Sequence, residues 1–177
     1  MSGKLAHCVR PLRAVGRQWT LLRHSRGFGI HSPFAYEFIT RTLHESAGYY
    51  AYASLPRGKR WRTLYRVLLA LRPESVRLAV GADALAASRD TAAAARMGYE
   101  PRCGLLVVAD RTAALKDISD VKDSGHIILL HPTEVMRAAV KRRAAGCGYG
   151  MIFDNCRDML IYVALRHLPQ QNFKVGF

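Results

Sequence analysis

The chain has 177 residues, half of them apolar, and a net charge of +14. That length supports one domain with a real core, and that apolar content excludes a disordered chain. No apolar run reaches the roughly 18 residues of a membrane-spanning helix, so no transmembrane segment is expected.

Four cysteines (Cys8, Cys103, Cys147 and Cys156) are scattered with no Cys-x-x-Cys pair. Such spacing points to free thiols in a reducing compartment and against a zinc site or disulfide frame. The charge is lopsided. Residues 1–72 hold thirteen Lys and Arg against Glu37 and Glu45, a net of +11, which leaves +3 for residues 73–177. A segment so basic can attract nucleic acid, an anionic surface or an acidic partner, or it can be a solvated face that keeps the chain soluble. The acid-free run from Met1 to Tyr36 has the charge of an organellar targeting peptide, but it is poor in serine and lacks the apolar core of a secretory signal. It reads as part of the mature chain, and a cytoplasmic protein is expected.

In chain order, Leu12, Val15, Trp19 and Leu22 form one apolar stripe on a basic helix from Pro11 to Arg23, suited to packing on the parent domain or lying on a membrane surface. Gly27 and Gly29 allow an irregular backbone before Ser32-Pro33, an N-cap followed by proline at the first helical position. The helix that follows places Phe34, Phe38, Ile39 and Leu43 on one face. His31 sits just before it, to meet a ligand or nearby backbone. After a break at Pro56 and Gly58, a helix over 61–71 buries Trp61, Leu64, Tyr65, Leu68 and Leu71, with Arg62, Arg66 and Arg72 pointing elsewhere. Pro73 stops it.

From there strands alternate with helices. Strands are expected at 76–80, 104–109 and 126–130, with helices at 83–97, ending at Gly98, and from the Thr133 N-cap to Arg143, ended by Gly146 and Gly148. Two further strands at 149–153 and 159–165 flank the polar turn Asp154–Asp158, read as solvated; so short a connection makes them antiparallel. A final strand covers 173–175. The pattern is α/β: a reduced Rossmann-like sheet (73–177) behind a basic helical N-terminal extension (1–72).

Gly29-Ile30-His31-Ser32-Pro33-Phe34, read with Tyr36 and Phe38-Ile39, resembles the opening of a group of small bacterial class I methyltransferases that use S-adenosylmethionine. Tyr49-Tyr50-Ala51-Tyr52, Leu64 to Leu69 and the closing Gln171 to Phe177 resemble later elements of that family in the same order. The resemblance implies a class I methyltransferase-like fold, with a cofactor pocket at the first strand's turn. Against the family's pattern, its acidic residue at the end of the first strand is replaced by Ala79. Gly81 survives, while Leu85 or a neighbour takes the place of a later glycine. The strand whose acid holds the cofactor's ribose is absent between Met97 and Gly104, and Leu129-Leu130 replace an acidic pair.

Those losses imply a pseudoenzyme with weakened or lost catalysis and doubtful S-adenosylmethionine binding. If it is active, Gly81 and Asp83 are the expected cofactor contacts, and Asp110 and His131 the catalytic pair at the carboxyl ends of their strands, where open α/β sheets bind ligands. The alternative expectation is a non-enzymatic module whose basic residues 1–72 engage nucleic acid or an acidic protein partner. No metal-binding run, phosphate-cradling glycine loop or Ser/His/Asp motif is present.

Overall fold

A computed structural model describes residues 30–96, 100–121 and 124–177. The expected helix at 11–23, the Gly27/Gly29 pair and the helix stop at Gly98 lie outside the described residues. In chain order come α1 (Pro33–Glu37), α2 (Lys59–Leu71), β1 (Pro73–Ala79), α3 (Ala82–Arg96), β2 (Cys103–Asp110) and α4 (Leu115–Ser119). They are followed by β3 (His126–Leu130), α5 (Glu134–Cys147), β4 (Met151–Asp154), β5 (Met159–Val163) and β6 (Gln171–Lys174).

The six strands form one sheet in the order β1-β2-β3-β5-β4-β6. β1, β2 and β3 are parallel neighbours, β5 runs antiparallel to both β3 and β4, and β6 is parallel to β4. All strands but β5 therefore point one way, and helices lie on both faces, as in a Rossmann-like sheet. Period-two alternation divides the core. Ile128 and Leu130 of β3 face α2 and α3, while Ile127 and Leu129 face α4 and α5. β2 and β3 are covered on both sides, which is why they read as unbroken apolar runs.

The first helix starts as its sequence dictates. Ser32 Oγ accepts the Ala35 N–H at 3.3 Å, and Pro33 occupies the first turn. The helix then widens into a π-helical stretch over Phe38–Leu43, closed by His44 N–H to Ile39 O at 2.9 Å. The wider turn lets Phe38, Ile39, Thr42 and Leu43 all be buried. Phe38 meets Phe153 of β4 at 4.8 Å between ring centroids, and Phe153 stacks on Phe173 of β6 at 5.4 Å. The aromatic residues after Ser32-Pro33 thus anchor the N-terminal helix across the far half of the sheet.

Several expectations are corrected. Arg66 does not point away from the core; it is buried, with only 7% of its surface exposed. Asp154 does not sit in a solvated turn. Its carboxylate is buried against the Arg137 guanidinium, with the Cys156 N–H donating to Oδ1 at 2.8 Å. Asn155 Oδ1 organises the rest of that turn by accepting the N–H groups of Arg157, Asp158 and Met159. Gly146 lies inside α5, which ends with Gly148 as a left-handed C-cap. α4 and the short 3-10 turn at Tyr50–Ala53 carry too few residues to show a period.

His126 begins β3 fully buried, and its Nδ1 accepts the Ala164 N–H at 2.9 Å. Nδ1 is therefore unprotonated and Nε2 carries the hydrogen. Burial pushes the imidazole down from 6.5 to about 4. Between these values the unfolded chain binds the proton and the folded chain does not, so acidification favours unfolding. Denaturant titrations should show stability falling from pH 6.5 to pH 4, with this histidine contributing on the order of 3 kcal/mol. His126→Asn keeps an acceptor for Ala164 and should flatten that slope.

Candidate functional site

Asp110, the last residue of β2, organises the carboxyl ends of the parallel strands. Its Oδ2 accepts the Gly81 N–H at 3.0 Å, from the turn that follows β1. Its Oδ1 accepts both the N–H (2.8 Å) and the hydroxyl (2.5 Å) of Thr112. Burial alone would raise the carboxyl pKa. The Thr112 hydroxyl, the Thr112 and Gly81 N–H groups and the nearby Arg111 charge outweigh it and hold the group below its ordinary value.

The same contacts explain Gly81. A Cβ there would lie 3.0 Å from Thr112 Oγ1 and 3.2 Å from its Cγ2, so the approach of the β2 turn favours glycine.

Around this junction lies a cleft of about 380 Å³. All four residues singled out in the sequence (Gly81, Asp83, Asp110 and His131) line it. Asp83 is exposed in the first turn of α3. His131 follows β3 with a left-handed backbone, φ 49°, and its N–H donates to Asp158 O at 2.6 Å. Its ring Nε2 meets Arg60 Nη1 of α2. Asp110 and His131 therefore share a wall but have different partners, Thr112 and Gly81 for the one and Arg60 for the other.

Sequence reasoning missed Arg60, Trp61, Arg111 and Thr112, which line the same cleft. The Arg60 guanidinium lies 4.9 Å from the centroid of the Trp61 ring. Thr112 carried a local signal, a hydroxyl two residues after a strand-end aspartate. Arg60 arrives from a helix fifty residues earlier and carried none.

No group of three or more His, Cys, Asp or Glu side chains suited to a metal ion occurs among the described residues. Nor is any described helix long and apolar enough to cross a membrane. Comparison with protein-family models, with curated proteins and with solved structures gave no match.

The Asp110 hydrogen bonds carry a testable stability. Asp110→Asn keeps the shape but presents an amide NH2 where the protein supplies only donors. It should cost about 1–3 kcal/mol at pH 7 in denaturant titrations. Because the folded carboxyl titrates below its ordinary value, the wild-type advantage should be complete above pH 4 and shrink as pH falls through that lower value.

Proposed function

We propose that the chain is a class I methyltransferase-like domain that keeps its sheet as a scaffold and has lost, or greatly weakened, catalysis. One observation carries this reading. The carboxylate at the strand-end cleft that would serve a ligand, Asp110, is already committed to three donors of the protein itself. Two others support it. β1 ends in Ala79, with no acid to receive the ammonium group of S-adenosylmethionine. Among the described residues β1 is also the edge of the sheet, so no strand beyond it brings an acid for the ribose hydroxyls. The residues present fit that cofactor poorly: of the lining carboxylates Asp83 and Asp110, Asp110 is engaged by the protein, and among the described residues Asp83 makes no ion pair.

Isothermal titration calorimetry with S-adenosylmethionine tests the reading. No heat of binding is expected at micromolar ligand. Micromolar binding that Gly81→Val or Asp83→Ala weakens would instead make this a working, reduced cofactor pocket.

A second reading has its own observation: residues 1–72 act as a binding part for an anionic partner. Between Ser46 and Arg72 the chain places six Arg and Lys and no acid, and Lys59, Arg60 and Arg62 crowd the first turn of α2. Cations at a helix N-terminus oppose its dipole, so helix stability gives no reason for them. Retention on immobilised single-stranded DNA, lost as salt is raised and weakened when Arg10, Arg13 and Arg17 become alanine, is the expected outcome.

A further inference from the structure

A second groove, of about 530 Å³, opens beside the first turn of α2 and shares no lining residue with the strand-end cleft. Lys59, Arg62 and Arg66 line it, together with His44, Tyr52 and Glu45. Its volume lies within the range of small-ligand sites.

Arg66 is the unusual member. Its buried guanidinium donates from Nε to Thr42 O at 2.6 Å and from Nη2 to Leu43 O at 3.0 Å and Thr63 Oγ1 at 3.2 Å. Nη1 donates to the Tyr52 hydroxyl at 3.0 Å. All four acceptors are neutral. Among the described residues no carboxylate forms an ion pair with it, and residues 1–29 contain no acid that could supply one. Removing a charge from water without a counter-charge is costly, and carbonyl dipoles offset only part of that cost.

The rest of the groove adds to the positive potential. The Arg62 guanidinium lies 5.2 Å from the Tyr52 ring centroid, which holds it on the wall. Lys59 is exposed beside it. Gly58 caps α2 without a side chain, so the first N–H groups of that helix have no side-chain acceptor at the cap. His44 is held below its ordinary value by burial and then by the charges of Lys59 and Arg66. Glu45, the one acid of the wall, turns its Oε1 to the Ala47 N–H at 2.9 Å.

We propose that this groove binds a phosphate group, with Lys59 and Arg62 gripping the anion above the buried charge of Arg66. A compact, multiply charged oxyanion suits three cations lining one groove beside a helix N-terminus that has no side-chain cap. The proposal rests on the reading of residues 1–72 as a binding part and narrows it to one place. It is independent of whether the strand-end cleft holds S-adenosylmethionine.

Calorimetry on the full chain with pyrophosphate and with ADP tests it, alongside fluorescence anisotropy with a labelled oligo-dT. The Lys59→Ala/Arg62→Ala pair is compared with Arg89→Ala/Arg142→Ala, which removes the same charge from exposed positions elsewhere. Submillimolar pyrophosphate or ADP binding is expected, weakened roughly tenfold or more by the first pair and little changed by the second. Oligo-dT displaced by pyrophosphate would identify the phosphate as one of a nucleic-acid backbone. ADP bound without oligo-dT would identify it as that of a small free ligand. Absence of pyrophosphate and ADP binding, or equal losses in both pairs, would overturn the groove. Oligo-dT binding untouched by the first pair, beside pyrophosphate binding that the pair weakens, would place nucleic acid elsewhere in residues 1–72 and leave the groove to a small free ligand.

Discussion

The carboxylate of Asp110 is the joint on which the strand-end half of the molecule depends. Among the described residues β1 has a single neighbour in the sheet, β2, and lies at the edge. At the start of β1 the ladder is fixed by Arg72 O, which accepts the N–H of Arg102 at 2.7 Å. At its end the strand is fixed by Asp110, which draws the Gly81 N–H to the tip of β2 while closing its own turn through Thr112. Hydrogen bonds to a charged acceptor contribute about 1.5–3 kcal/mol each, enough to hold an edge strand that lacks a second partner. The position of α3, which starts at the next residue, and the shape of the cleft both follow from that joint.

The same joint changes what the cleft residues mean. A glycine after the first strand and an aspartate after the next look, in sequence, like contacts for a ligand. In the folded chain they contact each other. Gly81 is small because Thr112 approaches it, and Asp110 is ionised because the protein's own donors surround it. An edge position for β1 also accounts for its composition. Glu74, Ser75 and Arg77 are exposed, and charges on an edge discourage pairing with another chain. Arg96 Nη2 donates to Glu74 O and Arg77 Nη2 to Asp117 O, so these side chains also tie the edge to its neighbouring helices.

What the sequence made legible is what depends on period and punctuation. β2 and β3 are apolar on both faces, Ser32-Pro33 and Thr133 are local N-caps, and a five-residue polar connection forces β4 and β5 to be antiparallel. What it hid depends on partners distant in the chain. Arg66 occupies a polar position on the helix pattern, yet carbonyls of the π-helical turn reach it from more than twenty residues away. Asp154 sits in a stretch rich in turn formers and is buried because Arg137 of α5 meets it. Gly150 adopts φ 89°, and a Cβ there would lie 2.7 Å from Val163 O, a clash that no local pattern announces. The cleft was half legible for the same reason: Gly81, Asp83, Asp110 and His131 follow strands, whereas Arg60 comes from a helix of the extension.

Two buried arginines, Arg66 and Arg137, show how differently this chain treats its surplus of cations. Arg137 is neutralised by Asp154, with Lys141 Nζ 3.9 Å from the second carboxylate oxygen, so the ion pair is complete within the fold. Arg66 is satisfied in hydrogen bonds but not in charge, because oxygens of carbonyls and hydroxyls carry only partial charges. Arg66 lies in the acid-free stretch from Ser46 to Arg72, and Arg137 in the half where acids nearly balance bases. A fold that needed Arg66 only to close the π-helical turn had no need of Lys59 and Arg62 beside it, where each adds repulsion. The concentration of like charge around one buried cation is better explained by an anion that arrives from outside than by the stability of the helix that carries it.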